Sequence, residues 1–417
     1  MLWTRIVISR YNSTMATDSS RDKTKDLKKR VDVSEKLMKI MPKRVDKRSM
    51  IISKFKRRAL KHLWVVRAAL LAVALIALYL LFTLFGTVIK KTDIGFYYNL
   101  AKDFIFTPQE KIESISDRTN ILILGKGGVG HEAPDLTDTI IFASLKHQTP
   151  SISLISLSRD IWIPELRAKL NSTYYWGNQK QEKGGLILAK ATVEKIVGEH
   201  VHYGVVIDFS GFKNIIVTLG GIEVEVENSF IDKKYPILGR ENDDCGGDDP
   251  EFLCRYETIE FKRGNQMMDG ETALKFARSR NAEGDEGTDF ARAKRQQKVI
   301  ASIRKRALSR DIVMNPKRVV GVIRSVRESI ETDIDPSALA ILARRILDAK
   351  DNVFSKVLPE DLLENPPISP RYDKLYVFIP KVEPSTETGL EWDKIHTWVE
   401  CVLENGECDN LDTNVPN

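Results

Sequence analysis

Arginines and carboxylates recur where the apolar patterns of this chain break. Thr137-Asp138-Thr139 opens one apolar run, and Ser158-Arg159-Asp160 closes another. Lys169-Leu170-Asn171 follows in a loop, and Arg278-Ser279-Arg280 ends a short helical or strand pattern. Asp289, Arg292, Arg295 and Gln296 belong to one helical stretch, where the spacing of 292, 295 and 296 puts the last three on one face. Guanidinium groups suit a diphosphate, because their planar fork offers paired donors and keeps its charge. Neighbouring carboxylates suit magnesium, which takes oxygen ligands and retains water. Together such groups could stabilise the charge that builds on a leaving phosphate in phosphoryl transfer. Taken singly, each has a plainer role as a solvated charge at the end of an element.

The surrounding pattern must bring these groups together. Asn120–Leu124, Thr139–Leu145 and Ser151–Leu157 read as strands rich in β-branched residues. Gly185–Val197 reads as a helix, Val201–Phe209 as a strand and Phe212–Leu219 as a short helix ended by two glycines. Ile222–Glu227 alternates apolar and acidic residues, the mark of a strand with one wet face. Asp269 is expected to cap a helix through Phe276, and Asp289 one through about Ala307. Helices near 316–328 and 336–349 follow, the second opening with Asp335-Pro336. Lys374–Ile379 looks like a last strand. The sum is an α/β domain over 119–382 with a central mixed sheet covered by helices. Polar clusters at strand ends are where such folds bind ligands. Residues 383–417 are polar and are expected to form a small appendage holding a cysteine pair.

Charge divides the chain unevenly. Residues 1–67 hold 20 Lys and Arg against 6 Asp and Glu, a net of +14; against +6 overall, this leaves −8 on the other 350 residues. A nucleic-acid-binding chain would carry its basic surface on the folded domain, so that class is excluded. The basic segment has few aromatics and is expected to be disordered or weakly helical. Residues 68–89 contain no charge and, as a helix, would span roughly 33 Å, enough for a bilayer core. The length of this run and of its leader separates it from a cleavable signal peptide. Positive flanks stay cytoplasmic, so residues 90–118 become an external stem and the domain lies outside the cell. All four cysteines, Cys245, Cys254, Cys401 and Cys408, then fall in the exported part. They allow three pairings, and the short spacings favour Cys245 with Cys254 and Cys401 with Cys408. Neither pair has zinc-site spacing.

Lys126–Gly130 (KGGVG) resembles the start of a nucleotide-binding loop, but His131 and Glu132 stand where the second Lys and the hydroxyl are needed. An ATPase is excluded, although such a turn could still offer N–H groups to an anion. The stretch 241–251 is acidic but lacks the order of a calcium loop. His200 and His202 read as structural. Phe209, Phe212 and Ile216 could line a lipid pocket or form core.

The ordered blocks TDTI, SLSRD, KLN, VIDFSGF with LGGIEVEV, DGxxALxFARSR and DxxRxxRQQ resemble the LytR-CpsA-Psr family of cell-wall glycopolymer ligases over about 119–307. The resemblance implies a three-layer α/β/α sandwich holding a polyprenyl pyrophosphate in an apolar pocket. It also implies transfer of the glycan phosphate to a peptidoglycan hydroxyl with Mg2+. By motif, Asp138 corresponds to a magnesium ligand, and Asp138, Arg159 and Asp160 to the catalytic group. Arg159, Lys169, Arg278, Arg280, Arg292, Arg295 and Gln296 correspond to pyrophosphate contacts; the alternative roles are orienting Arg159 for Asp160 and bracing the helix for Arg295. The chain departs from the family at Gly127, where an Asp is common, and at Leu136, where an Arg is common. Asp135, Glu132 or His131 are the candidates to stand in. Two other readings use the same features: a lipid pyrophosphate hydrolase, and a membrane regulator or scaffold that binds cell-wall lipids.

Overall fold

The computed structural model describes residues 56, 63–91, 94–240, 242–247, 249–381 and 392–408. Most of the basic segment, together with residue 382 and residues 383–391 and 409–417 of the expected appendage, lies outside them. Two units are separate, residues 1–91 and 92–417. The first contains helix α1 (Leu63–Lys91), whose stretch Leu63–Leu84 is long and apolar enough to cross a membrane and is not buried by the chain. The helix begins five residues before the uncharged run, so it includes Arg67.

The second unit opens with α2 (Ile94–Phe106), β1 (Arg118–Lys126), β2 (Thr137–Lys146) and β3 (Ser151–Ser156). Next come β4 (Trp162–Ile163), β5 (Ala168–Lys169), α3 (Thr173–Lys180), α4 (Gly184–Val197) and β6 (Tyr203–Asp208). A second group comprises α5 (Phe209–Leu219), β7 (Ile222–Val226), β8 (Phe230–Pro236), β9 (Tyr256–Phe261), β10 (Gly264–Met268) and α6 (Gly270–Arg278). The chain continues through α7 (Asp289–Ala307), α8 (Arg310–Val313), α9 (Pro316–Ser329), β11 (Ile330–Thr332) and α10 (Pro336–Asp348). It ends with β12 (Val353–Val357), β13 (Leu363–Glu364), β14 (Ile379–Pro380) and α11 (Asp393–Asn405).

The central sheet is mixed, in the order β11-β6-β1-β2-β3-β12. β1 runs parallel to β6 and antiparallel to β2, and β3 runs parallel to β12. Alternation along the strands feeds two cores. Leu122, Leu124, Ile140, Phe142 and Ile155 pack with α4 and α11 on one face. Ile141, Ala143, Leu145, Ile152 and Leu154 pack with α10 on the other. The expected three-layer α/β/α arrangement is therefore present. A third core joins α5, β7 to β10, α6 and one face of α7.

Caps set several boundaries. The Asp269 carboxylate accepts from Thr272 N at 2.8 Å, and Asp335 accepts from Ser337 N and Ala338 N ahead of Pro336. Such a cap satisfies amides that the first helical turn leaves unbonded. Asp289, expected as the cap of α7, is already inside it; Thr288 caps instead, its hydroxyl accepting from Ala291 N at 3.1 Å.

Two expectations change. Of Lys374–Ile379 only Ile379 enters a strand, the two-residue β14 paired with β13, and the sheet edge is β12. The alternating Ile222–Val226 is a strand with one buried face, as expected, and pairs with β10 outside the central sheet. The described part of the C-terminal segment is no appendage. Trp392, Ile395, Trp398, Val399, Val402 and Leu403 are buried in the first core, and Arg118 on β1 donates to the Leu403 carbonyl. Burying that apolar stripe outweighs the polar composition of the outer face. Disulfides join Cys245 to Cys254 and Cys401 to Cys408.

Candidate functional site

The central hollow lies where the sheet meets the third core. It has a volume of about 360 Å3 and is lined by Asp138, Arg278, Arg280, Asp289, Arg292 and Gln296, with Phe209 and Tyr235 on its wall. A smaller recess of about 40 Å3 shares Asp138, Asp289, Arg292 and Gln296, and adds Arg159 and the apolar Ile140, Leu157, Phe290, Val357, Leu358 and Phe378. Arg159 and Arg292, more than a hundred residues apart in sequence, thus line the recess together, and Arg292 joins Arg278 and Arg280 at the hollow.

Each reaches it from a fixed element. Asp138 is near the start of β2, and Arg159 follows the end of β3. Arg159 donates to Asp138 and approaches Asp160 at 3.3 Å; Asp160 in turn accepts from Lys169 at 2.6 Å. Burial alone would lower the Arg159 pKa, but Asp138 and Asp160 outweigh it and raise it. Burial would raise the Asp160 pKa, but the Lys169 hydrogen bond and the Arg159 charge bring it below the ordinary carboxylate value. Asp160 and Lys169 line neither cavity. They form the buried end of a charge chain that holds Arg159.

On the opposite rim, Arg278 lies over the Phe209 ring at 4.2 Å and donates to the Tyr235 hydroxyl at 3.3 Å. Arg280 approaches Asp289 at 3.5 Å, and Arg292 approaches the same oxygen at 3.1 Å. Arg292 is buried. Burial and repulsion from Arg159 and Arg280 draw its pKa down to about 10 despite Asp289, which still leaves it charged at neutral pH. Four guanidiniums line the two cavities with three carboxylates, Asp138, Asp289 and Glu360, while Asp160, itself paired with Lys169, meets Arg159 from outside them. A crowded, partly desolvated group of cations of this kind is stabilised by an anion carrying more than one charge.

Arg295 is a correction to the expected ligand set. Although it is on the same helix, its Nε donates to Phe276 O, its Nη2 to Ser279 O and its Nη1 to Glu286, and it lies outside the 360 Å3 hollow. It braces the turn that presents Arg278 and Arg280. Gln296 lines both cavities.

Asp289, read with the charged cluster and as a helix cap, has only the first of those roles, and Asp232 escaped the sequence reading. Asp289 turns its carboxylate to the arginines instead of capping the helix. Asp232 on β8 is fully buried, and its Oδ2 accepts from Ser279 Oγ at 2.7 Å, Arg280 N at 3.2 Å and Asn281 N at 3.1 Å. It pins the Arg278–Arg280 turn from below. An acidic side chain in the polar run IDKKY gave no hint of burial.

The glycine-rich turn supplies no substitute carboxylate. Asp135 pairs with Lys126 at 2.9 Å, and the His131 ring packs edge-on against Phe209. His131, Glu132 and Asp135 line neither cavity. A Cβ at Gly127 would come within 3.0 Å of the His131 Cβ, so an Asp there would displace that ring. The Gly128 amide is used by Pro134 O and offers no donor to an anion.

Among the described residues, the only group of three potential metal donors is Asp243, Cys245 and Cys254, whose two cysteines are oxidised to a disulfide. The expected lipid tunnel is also closed. The apolar recess of about 40 Å3 has room for only a few waters at roughly 10–15 Å3 each. Ile216 is core, Phe212 packs against the third core, and Phe209 is a wall of the hollow. His202 is buried and accepts from Asn120 N at 3.0 Å, a structural role.

Residues 97–384 match the model of the LytR_cpsA_psr family. The chain belongs to that family. Among LytR_cpsA_psr relatives, the polyisoprenyl-teichoic acid–peptidoglycan teichoic acid transferase TagU of Enterococcus faecalis is 27% identical over 249 residues, covering 58% of this chain and 69% of TagU. The regulatory protein MsrR of Staphylococcus aureus is 26% identical over 231 residues, covering 53% and 58%. The crystal structure of TagV from Bacillus subtilis aligns with a TM-score of 0.48 at 21% identity, over 70% of this chain and 99% of TagV.

Proposed function

We propose that this LytR_cpsA_psr chain is a membrane-anchored phosphotransferase acting outside the cell membrane. It moves a glycopolymer phosphate from a polyprenyl-pyrophosphate carrier onto a peptidoglycan hydroxyl. One observation carries this reading: Arg159, Arg278, Arg280 and Arg292 converge on adjoining cavities whose lining holds three carboxylates, Asp138, Asp289 and Glu360. A diphosphate supplies the missing negative charge, and the relatives named as teichoic acid transferases support the substrate class.

In this reaction an acceptor hydroxyl oxygen attacks the phosphorus that bears the glycan. The bond from that phosphorus to the bridging oxygen breaks, and polyprenyl phosphate leaves with the bonding pair. The hydroxyl proton passes to a carboxylate on the wall or to water. Arg278, Arg280 and Arg292 hold the diphosphate oxygens as their charge grows, where fixed donors act without reorganising. Arg159 fixes the end nearest the apolar recess, into which the lipid tail extends once that recess widens. Asp138 and Asp289 together fit a magnesium ion, which needs only one or two carboxylates when phosphate oxygens and waters complete its shell. Such an ion would neutralise charge on the diphosphate.

The test supplies the full chain in detergent with a synthetic polyprenyl-pyrophosphate glycan and a peptidoglycan fragment. The expected product is a phosphodiester between them, formed with Mg2+ and lost with chelator. Free phosphoglycan with no coupled product would instead identify water as acceptor. Absence of turnover with the lipid bound would favour a regulatory role.

A further inference from the structure

We infer that the exposed face of α2 lies on the lipid surface of the membrane crossed by α1 and fixes the second unit there. The inference rests on reading α1 as a membrane span, and it holds for either orientation of that span. Only Thr92 and Asp93 separate Lys91, the last residue of α1, from Ile94, the first of α2. Three Cα steps of about 3.8 Å carry the chain no further than roughly 11 Å. The covalent chain alone therefore ties the start of α2 to the end of the apolar segment.

The two faces of α2 differ in chemistry. One is tied to the second unit: Arg344 on α10 donates to the carbonyls of Phe104 at 2.9 Å and Thr107 at 2.7 Å, and Arg327 on α9 covers the Phe96 ring at 4.2 Å. The other carries Tyr98, Ile105 and Phe106, which are 68%, 62% and 76% exposed. Tyr98 and Ile105 are seven residues apart, two helical turns along one stripe, with Lys102 between them. Large apolar side chains exposed on one side of a fixed helix mark an interaction surface. The pattern matches a helix lying in the plane of a membrane interface, where a tyrosine ring reaches headgroup level and a lysine stem extends its amine to the phosphates. Since α2 is held by α9 and α10, docking this stripe would orient the whole second unit.

All four native cysteines are in disulfides, so a thiol label reports only on an introduced cysteine. The full chain is reconstituted in phosphatidylglycerol–phosphatidylethanolamine nanodiscs as Tyr98→Cys, Ile105→Cys or Met267→Cys, each carrying a polarity-sensitive fluorophore. Met267 is 72% exposed on β10 and serves as the water-facing reference. Headgroup-proximal nitroxide lipids are expected to quench positions 98 and 105 at least twofold and to leave position 267 unchanged. Carbonate extraction on native membranes reads α1 separately. Release of the chain would overturn the span and this inference with it. Retention with no more quenching at 98 and 105 than at 267 would overturn this inference alone.

Discussion

The two rims of the hollow handle charge in opposite ways. On the sheet rim, Lys169, Asp160, Arg159 and Asp138 form a chain in which two cations meet two anions. On the helix rim, Arg280 and Arg292 share a single carboxylate, Asp289. Arg278 is positioned by an aromatic face and a tyrosine hydroxyl, neither of which neutralises it. The sheet rim spends its electrostatics on holding its own shape. The helix rim leaves its charge for a ligand. Substitutions on the first should therefore appear mainly as lost stability, and on the second mainly as lost turnover.

The largest effect is expected on the helix rim. Arg278→Ala and Arg280→Ala, singly, should each lower turnover by about 10²- to 10³-fold, the range for removing one preorganised donor from a developing anion. Thermal midpoints should stay near that of the parent for Arg280→Ala, whose side chain is 45% exposed. Calorimetry beside the coupling assay separates the two readouts. A large loss of stability with normal turnover would reverse the assignment of the rims.

Asp160→Asn probes the opposite case. The change leaves the Arg159 and Lys169 charges partly unpaired, and breaking a buried pair costs about 3–5 kcal/mol. The sign with pH follows from the lowered Asp160 pKa. Its stabilisation is complete above the unfolded carboxylate value of about 3.9 and is lost as pH falls through the folded value. The stability gap between parent and variant should thus be widest near neutrality and close below about pH 4. Urea titrations across that range would show it, and a constant gap would mean that Asp160 does not titrate as a paired carboxylate.

Asp232→Asn tests what holds the helix rim in place. One oxygen accepts from Ser279, Arg280 and Asn281, and the other from Lys234 N at 2.9 Å. An amide can fill only one of these roles and carries no charge, so a loss of about 1–3 kcal/mol is expected. Turnover should fall less than in Arg280→Ala, with a weaker hold on the donor as the turn loosens. Unchanged donor affinity would show that Arg295 alone fixes the turn.

How much of this was readable follows the same division. The β1, β2 and β3 strands emerge within two residues of expectation at most ends because β-branched runs fix them locally. Asp269 and Asp335-Pro336 mark helix starts through bonds to amides two or three residues away. Asp138, Arg159, Arg278, Arg280, Arg292 and Gln296 were legible as site candidates because their motifs stand at element ends. What escaped depends on distant chain. Asp232 is buried only because the Arg278–Arg280 turn folds over it. β12 becomes a sheet edge by pairing with β3 some two hundred residues earlier. The terminal helix did carry a signal: Ile395, Trp398, Val399 and Val402 repeat at helical spacing, which the overall polarity of residues 383–417 obscured.

The smallest expected effect comes from the loop behind the helix rim. β8 and β9 form a hairpin whose first strand carries Asp232 and Tyr235, and the connection between them is closed by Cys245–Cys254. Opening a loop of this length by Cys245→Ser with Cys254→Ser should cost about 2–3 kcal/mol on chain entropy. The hairpin keeps its backbone pairing, including Asp232 with Ile259 and Tyr235 with Glu257, and the Phe230 and Phe261 rings stay packed at 5.2 Å. The rim should therefore survive: donor affinity within about twofold of the parent, a smaller shift than one hydrogen bond is worth. Hydrogen exchange should rise at the described residues 242–247 and remain slow at Asp232 and Ser279. Faster exchange at Ser279 would instead mean that the disulfide supports the site through the hairpin, and that the helix rim depends on its scaffold as much as the sheet rim does.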